Sequence, residues 1–435
     1  MVRMLREHFI LISLAGFFAS TPAQSATSDA PLVSVVQIAQ FPPTSLSVFP
    51  GAGDAKALKQ AKRDGLKRTD LPSIGSGLAL VGSNEFVGIT DRGVNFTIED
   101  KAHNERRIFP LPHFAPSIVR FKINDSRIEL LAVTPLRDRD GNLLTGMSNG
   151  DGEEPCYESP YAKTPLPFDP SGVDPEGVRV LPDGRFLISE EYGPSLLVVN
   201  TNGEVLIRYT PANKPLIGAR YPVKPILPRV LSQRRDNRGF ECLALSKDGR
   251  TAYTILQSPA GLADDKRFND SRVSRAIRLD LSDPLNARVT GHFLMPLDAA
   301  AAFAEKQKQI NVKLNDADWI GPDKLLVIEQ AKGEARLLVA DFSKATNLLG
   351  RDDENSLSFE IASSDLSRLR VTTAELRTWF STAGIKAIDT DKLEGLAIVG
   401  PDEIALSNDN DFGVGDNKTG HASTVWILKA DPPLR

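Results

Sequence analysis

One stretch indicates the fold most clearly: Glu394-Gly-Leu-Ala-Ile-Val-Gly-Pro-Asp-Glu-Ile-Ala-Leu-Ser-Asn-Asp-Asn-Asp411. It contains two short apolar segments, which are separated by a turn and flanked by polar residues. The stretch Glu176-Gly-Val-Arg-Val-Leu-Pro-Asp-Gly-Arg-Phe-Leu-Ile-Ser-Glu-Glu191 aligns with it without a gap. Three further copies of the pattern begin at Ser76, Phe240 and Asn315. Strand pairs that recur at intervals of tens of residues predict a propeller or a solenoid.

The repeats predict an all-β fold, a β-propeller of five four-stranded blades within a single domain over residues 32–430. Repeat five lacks a fourth strand, and the orphan strand predicted at residues 32–39 can supply it. Pairing of the two chain ends would then close the ring and remove exposed sheet edges. Residues 137–174, rich in Asp, Gly and Pro, are predicted as a loop insertion on one face, and they are also long enough to hold a sixth blade.

Local patterns predict the connecting segments. Residues 50–72 are polar and charged, which predicts a loop with a short helix. Residues 299–309 and 372–383 are interpreted as helices, and residues 358–362 as the fourth strand of repeat four.

Composition excludes some classes of function. The chain has 435 residues, of which 41% are hydrophobic and 25% charged, as in ordinary globular proteins. The formal net charge is -4, whereas proteins that bind nucleic acid usually carry an excess of positive charge. We therefore expect no nucleic-acid partner, and we expect a monomer that acts on a small molecule.

The N-terminus has the pattern of a secretory signal peptide, predicted over residues 1–25. Arg3 and Arg6 precede an apolar run over residues 9–18, and Ala23-Gln-Ser25 is a cleavage motif of small residues. A buried first helix is the alternative interpretation. Because no later run is long enough to span a bilayer, the sequence predicts a secreted or periplasmic protein without membrane insertion after cleavage.

Export bears on the two cysteines, Cys156 and Cys242. An oxidising compartment permits a disulfide between them, but their spacing does not decide whether it forms.

Alignment of the repeats places polar residues at two equivalent positions. The head of the first strand is occupied in turn by Ser76, Glu176, Glu241, Asn315 and Glu394. The tail of the second strand is occupied by Asp91, Glu191, Gln257, Gln330 and Asp409, with Glu190, Glu329 and Asn408 just before three of these tails. Antiparallel pairing puts each head beside its tail, so both rings are expected at one end of a central channel.

Carboxylates that face one axis repel one another unless a cation compensates them. Oxygen ligands without His or Cys favour Ca²⁺, and less well Mg²⁺ or Mn²⁺. The predicted metal ligands are Glu176, Glu241, Asn315, Glu394, Asp91, Asn408 and Asp409. The alternative is that the glutamates cap blade edges by accepting hydrogen bonds from backbone N–H groups.

Arg92 and Arg238 lie beside the predicted rings in the sequence, and a guanidinium can bind a phosphate or carboxylate through two hydrogen bonds. The alternative for each is an ion pair with a neighbouring carboxylate. The chain has no Gly-x-Ser-x-Gly motif, so metal-assisted ester hydrolysis fits better than a serine nucleophile. Glu190, Glu191 and Glu329 are the candidate general bases.

Six short motifs together resemble the phytase-like family of exported bacterial and plant proteins, whose members are described by "esterase-like activity of phytase". They are Asp174-Pro-Glu-Gly177, Glu190-Glu-Tyr-Gly-Pro-Ser195, Asn237-Arg-Gly-Phe-Glu241, Gln257-Ser-Pro259, Lys392-Leu-Glu-Gly395 and Asn408-Asp-Asn-Asp-Phe412. The resemblance extends over residues 75–428 and implies a β-propeller with hydrolase activity. The chain departs from it at Cys242, which replaces a glycine, and at Asn315-Asp316, which replaces a Glu-Gly pair.

These observations predict an exported metal-dependent hydrolase of ester bonds, with phosphate esters as the substrate class and Ca²⁺ at the central channel. Two alternatives stay open. One is a propeller that binds a ligand or protein without catalysis, and the other is a calcium-dependent lactonase.

Overall fold

Strands account for most of the regular structure in the computed structural model, which describes residues 31–100, 104–150, 153–261, 265–390, 392–414 and 420–434. The predicted signal peptide lies outside the described residues. In chain order the strands are β1 (Leu32–Gln40), β2 (Leu78–Leu80), β3 (Glu85–Ile89), β4 (Phe96–Glu99), β5 (Glu105–Ile108), β6 (Ser117–Asn124), β7 (Arg127–Pro135), β8 (Cys156–Tyr157), β9 (Pro175–Val180), β10 (Phe186–Glu190), β11 (Ser195–Val199), β12 (Val205–Pro211), β13 (Val223–Leu227), β14 (Phe240–Leu245), β15 (Thr251–Leu256), β16 (Val273–Asp280), β17 (Arg288–Pro296), β18 (Lys313–Gly321), β19 (Lys324–Ala331), β20 (Glu334–Asp341), β21 (Glu375–Ser381), β22 (Leu393–Ile398), β23 (Glu403–Asn408) and β24 (Thr424–Asp431).

Helices are few and short among the described residues. Helix α1 (Ala55–Asp64) begins at Asp54, whose carboxylate accepts hydrogen bonds from the N–H groups of Lys56 and Ala57, and it ends at Gly65. It confirms the short helix predicted within residues 50–72. The remaining helical segments are α2 (Ser358–Ile361) and the 3₁₀ turns Leu46–Val48, Arg229–Gln233, Lys266–Phe268, Pro284–Asn286, Ala300–Ala302, Gln309–Asn311, Leu366–Leu369 and Asp411–Gly413.

The strands pair mainly with their sequence neighbours. Three sheets have the orders β9-β10-β11-β12-β13, β14-β15-β16-β17 and β18-β19-β20-β21. An eight-stranded sheet has the order β2-β3-β6-β7-β1-β24-β23-β22, and the strand pairing between its two halves is the single pair of Gln40 with Arg127. Strands β4, β5 and β8 form a small separate sheet.

The first strands of these groups surround one axis. β2 contacts β9, β9 contacts β14, β14 contacts β18, β18 contacts β22, and β22 contacts β2. The all-β expectation is confirmed, and the arrangement of the described sheets is propeller-like.

The N-terminal strand closes this arrangement, as the sequence predicts. β1 runs antiparallel to β24, from the pair Leu32–Asp431 to the pair Gln40–Thr424, with one irregularity between Val35 and Gln37. Closure therefore joins two strands that lie at opposite ends of the chain.

The apolar core lies between neighbouring sheets. Strand β11 is buried along its whole length, as expected of a strand that is covered on both faces. Its Leu196 and Val198 belong to one buried cluster with Leu243 and Leu245 of β14. Such contacts hold adjacent sheets at fixed positions around the axis.

Three local predictions are wrong. The segment 372–383 contains strand β21, which pairs with the edge of β20, so that tertiary pairing overrides helix propensity. The segment 358–362 contains helix α2 instead of a strand. The alanine-rich segment 299–309 forms only 3₁₀ turns, because an isolated helix of this length is marginal.

The insertion at 137–174 contributes one regular strand among its described residues, the two-residue β8, which pairs in parallel with β5. Cys156 and Cys242 are both buried and free, so the structure contains no disulfide between them. Within the described residues there is no helix with the length and apolar character needed to cross a bilayer.

Candidate functional site

Heads and tails of the repeats lie side by side, as the alignment predicts. Gln257 donates a hydrogen bond to the carboxylate of Glu241, and Asn315 Nδ2 donates one of 3.0 Å to Gln330 Oε1. In each case the first strand begins where the second strand ends. The antiparallel pairing thus brings together side chains that are separated by about one hairpin in sequence.

A cavity of about 380 Å³ opens on the axis at this level. Its acidic lining residues are Asp91, Glu176, Glu241, Glu394, Asp409 and Asp411. Its basic lining residues are Arg92, Arg107, Lys313 and Lys392. The structure therefore gathers five of the seven predicted metal ligands around one space.

Asp174, Glu176 and Glu191 form the tightest carboxylate group, with one oxygen of each within 4.8 Å of the others. All three are buried, at 1%, 8% and 1% exposure. Two oxygens on one Ca²⁺ at 2.3–2.6 Å lie at most about 5 Å apart, so this spacing fits a shared calcium ion. Glu191 Oε1 also accepts a hydrogen bond of 3.2 Å from the N–H of Gly239.

The environment disfavours negative charge on these groups. Burial, followed by the charges of Glu241 and Asp174, raises the pKa of Glu176 well above its ordinary value. Burial also raises the pKa of Asp174 to about 7 and that of Glu394 to about 8. A bound cation would favour the ionised forms and reverse these shifts.

Lys392 compensates a second carboxylate group. Its Nζ lies 2.7 Å from Asp409, 2.6 Å from Asp411 and 3.7 Å from Glu394. Burial alone would raise the pKa of Asp409, but the Lys392 ammonium, together with hydrogen bonds from Ser73 and the Asp411 N–H, lowers it. An ammonium held by the chain thus occupies the place that a metal ion would take among Glu394, Asp409 and Asp411.

Arg92 and Arg238 differ in their partners. Arg92 Nη1 lies 3.3 Å from Asp174 and 3.3 Å from Glu154, and Arg92 Nη2 donates to Asn237. Arg92 therefore forms the ion pairs that the sequence left as an alternative. Arg238 lines an adjoining cavity of about 580 Å³.

Among the predicted site residues that do not line the central cavity, three are held by other parts of the scaffold. Glu190 is fully buried and pairs with Arg208 at 2.6 Å. Glu329 accepts a hydrogen bond of 2.7 Å from the N–H of Asp298. Asn408 accepts one of 2.7 Å from the N–H of Thr424. Each is engaged within the scaffold.

Asn315 takes an intermediate position, since it lines the adjoining cavity of about 580 Å³ instead of the central one. Its Oδ1 is buried without a hydrogen-bond partner, as are Glu241 Oε2 and Gln257 Oε1. Buried polar atoms are nearly always paired in native proteins. Unpaired acceptors at these two cavities are therefore expected to face a ligand or solvent.

Sequence reasoning missed several charged residues of the site, including Asp174, Lys313 and Lys392. Asp174 stands in the motif Asp174-Pro-Glu-Gly177, but it lies two residues before the aligned head Glu176 and therefore outside the aligned head and tail positions. Lys313 and Lys392 each lie two residues before a head position, at Asn315 and Glu394. Side chains two residues apart on an extended strand lie on the same face. This spacing was the signal that could have placed Lys313 and Lys392 beside their head residues.

An ion pair spans the axis beside the cavity level. Arg179 Nη2 lies 3.0 and 3.1 Å from the two oxygens of Asp316, and Arg179 also donates to the carbonyls of Leu78 and Leu396. Asp316 accepts hydrogen bonds from the N–H groups of Leu396 and Leu243. Through these bonds the pair connects β2, β9, β14, β18 and β22.

The position of Asp316 explains one departure from the repeat pattern. Gly177 and Gly395 occupy the equivalent place in two other repeats. A Cβ there would lie only 2.4 Å from Ser189 Oγ and 2.0 Å from Ser407 Oγ. Glycine thus permits close packing at these positions, whereas Asp316 supplies the carboxylate that binds Arg179.

The sequence profile described as "Phytase-like: Esterase-like activity of phytase" matches residues 74–412. The chain belongs to the phytase-like family. The match contains both polar rings and the axial ion pair. Repeat four of this chain has Asn315-Asp316 at the head of its first strand. The three repeats that begin with a glutamate have Glu-Gly or Glu-Cys at the same position.

One curated relative is an uncharacterised secreted protein of Arthroderma benhamiae, 27% identical over 183 residues, which cover 36% of this chain and 35% of the relative. The alignment thus spans about a third of the relative's length. Among solved structures, an aldose sugar dehydrogenase from Streptomyces coelicolor matches at 11% identity and a TM-score of 0.34, covering 92% of this chain and 98% of the other. The calcium-binding protein regucalcin from Agrobacterium tumefaciens matches at 13% identity and a TM-score of 0.34, covering 83% and 92%. Similarity at this level does not bear on activity.

Proposed function

We propose that this phytase-like protein is an exported hydrolase of ester bonds, with phosphate esters as its substrate class and Ca²⁺ on the central axis. We further propose that it is a monomeric propeller of five blades. The blades would be β2-β3-β6-β7, β9-β10-β11-β12, β14-β15-β16-β17, β18-β19-β20-β21 and β22-β23-β24-β1. Family membership supports the hydrolase class, and the secretory pattern of residues 1–25 supports export, as does the description of the relative as secreted.

The observation that carries this proposal is the group Asp174, Glu176 and Glu191. Its members are buried, its oxygens are spaced for one ion, and it offers carboxylate oxygens alone. Hard oxygen ligands favour Ca²⁺ over Zn²⁺ or copper. Lys392 already compensates the neighbouring group, so the cation is assigned to the three carboxylates that have Arg92 as their only ion-pair partner within the described residues.

Calcium, when bound, supplies positive charge that stabilises the charge developing on the oxygens of an ester. Glu191 is the one candidate base that lies in this group, and we assign it to accept the proton of the attacking water. Burial, followed by the charges of Glu394 and Glu191, raises the pKa of Glu241, and we assign its protonated form as the general acid. Its unpaired Oε2 can donate that proton to the leaving oxygen, which balances the hydrolysis.

Calcium titration and ester hydrolysis test the proposal together. We expect the wild type to bind one Ca²⁺ by calorimetry and to hydrolyse p-nitrophenyl phosphate until EDTA removes the ion. Glu176→Gln and Glu191→Gln should each weaken calcium binding by roughly 100-fold, because each removes one charged ligand. Glu403→Gln is the matched control, since Glu403 begins β23 and lines a different cavity.

The outcomes separate the alternatives. Hydrolysis that survives exhaustive EDTA treatment would reject the metal-dependent mechanism. Calcium binding without hydrolysis of phosphate or carboxylate esters would identify a binding propeller instead of an enzyme. Unchanged calcium affinity in both Glu176→Gln and Glu191→Gln would place the ion elsewhere.

A further inference from the structure

Two cations beside the central axis lack a carboxylate partner among the residues that the structure describes. Neither Arg238 nor Lys313 forms an ion pair with any carboxylate in the described part of the chain, and the hydrogen bond that Arg238 makes there is one of 3.3 Å from Nη1 to Ser258 Oγ. Both residues are half-buried, and burial lowers the pKa of each side chain. An unpaired buried charge is unfavourable unless a ligand compensates it.

The other charged side chains of this region are compensated differently. Arg92 pairs with Asp174, Arg179 with Asp316, and Lys392 with Asp409. Arg234, four residues before Arg238, pairs with Glu153 of the insertion. The described residues therefore supply counter-ions to these neighbours but none to Arg238 and Lys313.

Both unpaired cations face open space. Lys313 lines the central cavity and also the adjoining cavity of about 580 Å³, and Arg238 lines the latter. Lys392 and Glu394 line both cavities as well, so the two spaces meet at these side chains. A ligand held by Arg238 and Lys313 would therefore lie next to the central cavity, which Glu176 of the proposed calcium centre also lines.

We propose that Arg238 and Lys313 form a phosphate-binding subsite that holds a phosphate group of the substrate beside the calcium centre. A guanidinium offers a planar pair of N–H donors and an ammonium offers a point charge. Their two positive charges match a phosphate dianion better than a single carboxylate. Arg92 is not part of this subsite, because Asp174 and Glu154 already occupy its guanidinium.

This subsite rests on the proposed function for its role, but its binding can be measured separately. The probe is inorganic phosphate, titrated by calorimetry into the full protein with and without Ca²⁺, with acetate as the carboxylate comparison. We expect phosphate to bind more tightly than acetate, and Arg238→Gln and Lys313→Met each to weaken phosphate binding roughly 10- to 100-fold. Lys332→Met is the control: Lys332 lines the same cavity but is 73% exposed and pairs with Glu305.

Calcium titration of the same variants shows whether they are folded and separates the two proposals. Retained calcium binding with lost phosphate binding supports the subsite. Phosphate affinity that is unchanged in both Arg238→Gln and Lys313→Met, or that falls equally in Lys332→Met, overturns it, even if calcium-dependent hydrolysis persists. Phosphate binding that depends on Arg238 in a protein without calcium affinity would retain the subsite and reject the calcium mechanism.

Discussion

Buried charged side chains are arranged differently at two levels of the central axis. At one level Arg179 and Asp316 pair directly, and every first strand provides a bonding partner. At the other, the carboxylates of Asp174, Glu176 and Glu191 crowd together, and Glu241 keeps an unpaired oxygen. The first arrangement is compensated by the chain itself, whereas the second is the group to which we assign the proposed Ca²⁺.

The difference indicates which level is structural and which is functional. A compensated buried pair fixes the positions of the strands but has no capacity left for a ligand. Uncompensated carboxylates raise the free energy of the ligand-free protein, and a site of this kind is maintained where binding or catalysis uses it. The three predictions below test this division, from the largest expected effect to the smallest.

Removal of Arg179 should have the largest effect on stability. Arg179→Met leaves the Asp316 carboxylate buried without its counter-ion, and we expect the free energy of unfolding to fall by about 3–5 kcal/mol. Burial already raises the pKa of Asp316 to about 7 against the opposing effect of Arg179. Urea denaturation measures the change, and an unchanged midpoint would show that the pair does not hold the strands together.

The matched substitution at the other level is Glu176→Gln. It removes a charge that burial and neighbouring carboxylates disfavour, so the calcium-free protein should be as stable as the wild type or more stable. A loss comparable with that of Arg179→Met would contradict the proposed division between the two levels.

Replacement of Lys392 should have a smaller effect that calcium corrects. Lys392→Met leaves Asp409, Asp411 and Glu394 without their ammonium, and we expect a loss of about 1.5–3 kcal/mol in the calcium-free protein. An added divalent ion can take the place of the ammonium, so calcium should raise the melting temperature of Lys392→Met more than that of the wild type. Equal increases in melting temperature in both proteins would mean that the Lys392 ammonium does not take the place of a metal ion.

The pH dependence should be the most gradual effect. Because burial raises the pKa of Glu394 to about 8 and that of Asp174 to about 7, protonation of these groups stabilises the folded state. Their contribution is fully present below their ordinary pKa values of 4.5 and 3.8 and is lost as the pH rises through about 7 to 8, at up to about 1.4 kcal/mol per pH unit for each proton.

Thermal unfolding of calcium-free protein between pH 5 and 8.5 provides the measurement. Stability should decline with rising pH without calcium, and the decline should be smaller with calcium, which favours the ionised carboxylates. Glu394→Gln should show a weaker pH dependence than the wild type. A rise in stability over this pH range would contradict the raised pKa values.

Several features could be predicted from sequence because they depend on local pattern. The alternation within Glu176–Glu191 and Glu394–Asp411 predicted paired strands, and the missing strand of repeat five predicted closure by β1. The helix predicted at 372–383 failed because the open edge of β20 selects a strand there. Local propensity is weak compared with such pairing.

The sequence by itself determined that polar residues recur at the heads and tails of the strand pairs, since antiparallel pairing fixes which residues face one another. Only the tertiary structure decided which of them share a space: Glu176, Glu241 and Glu394 meet at the cavity, while Glu190 and Glu329 are engaged elsewhere. It also decided that Asp174 joins Glu176 and Glu191, and that Lys392 compensates its neighbours. The physical reason is that compensation of charge depends on distances of a few ångströms between strands far apart in sequence, and no spacing along the chain specifies those distances.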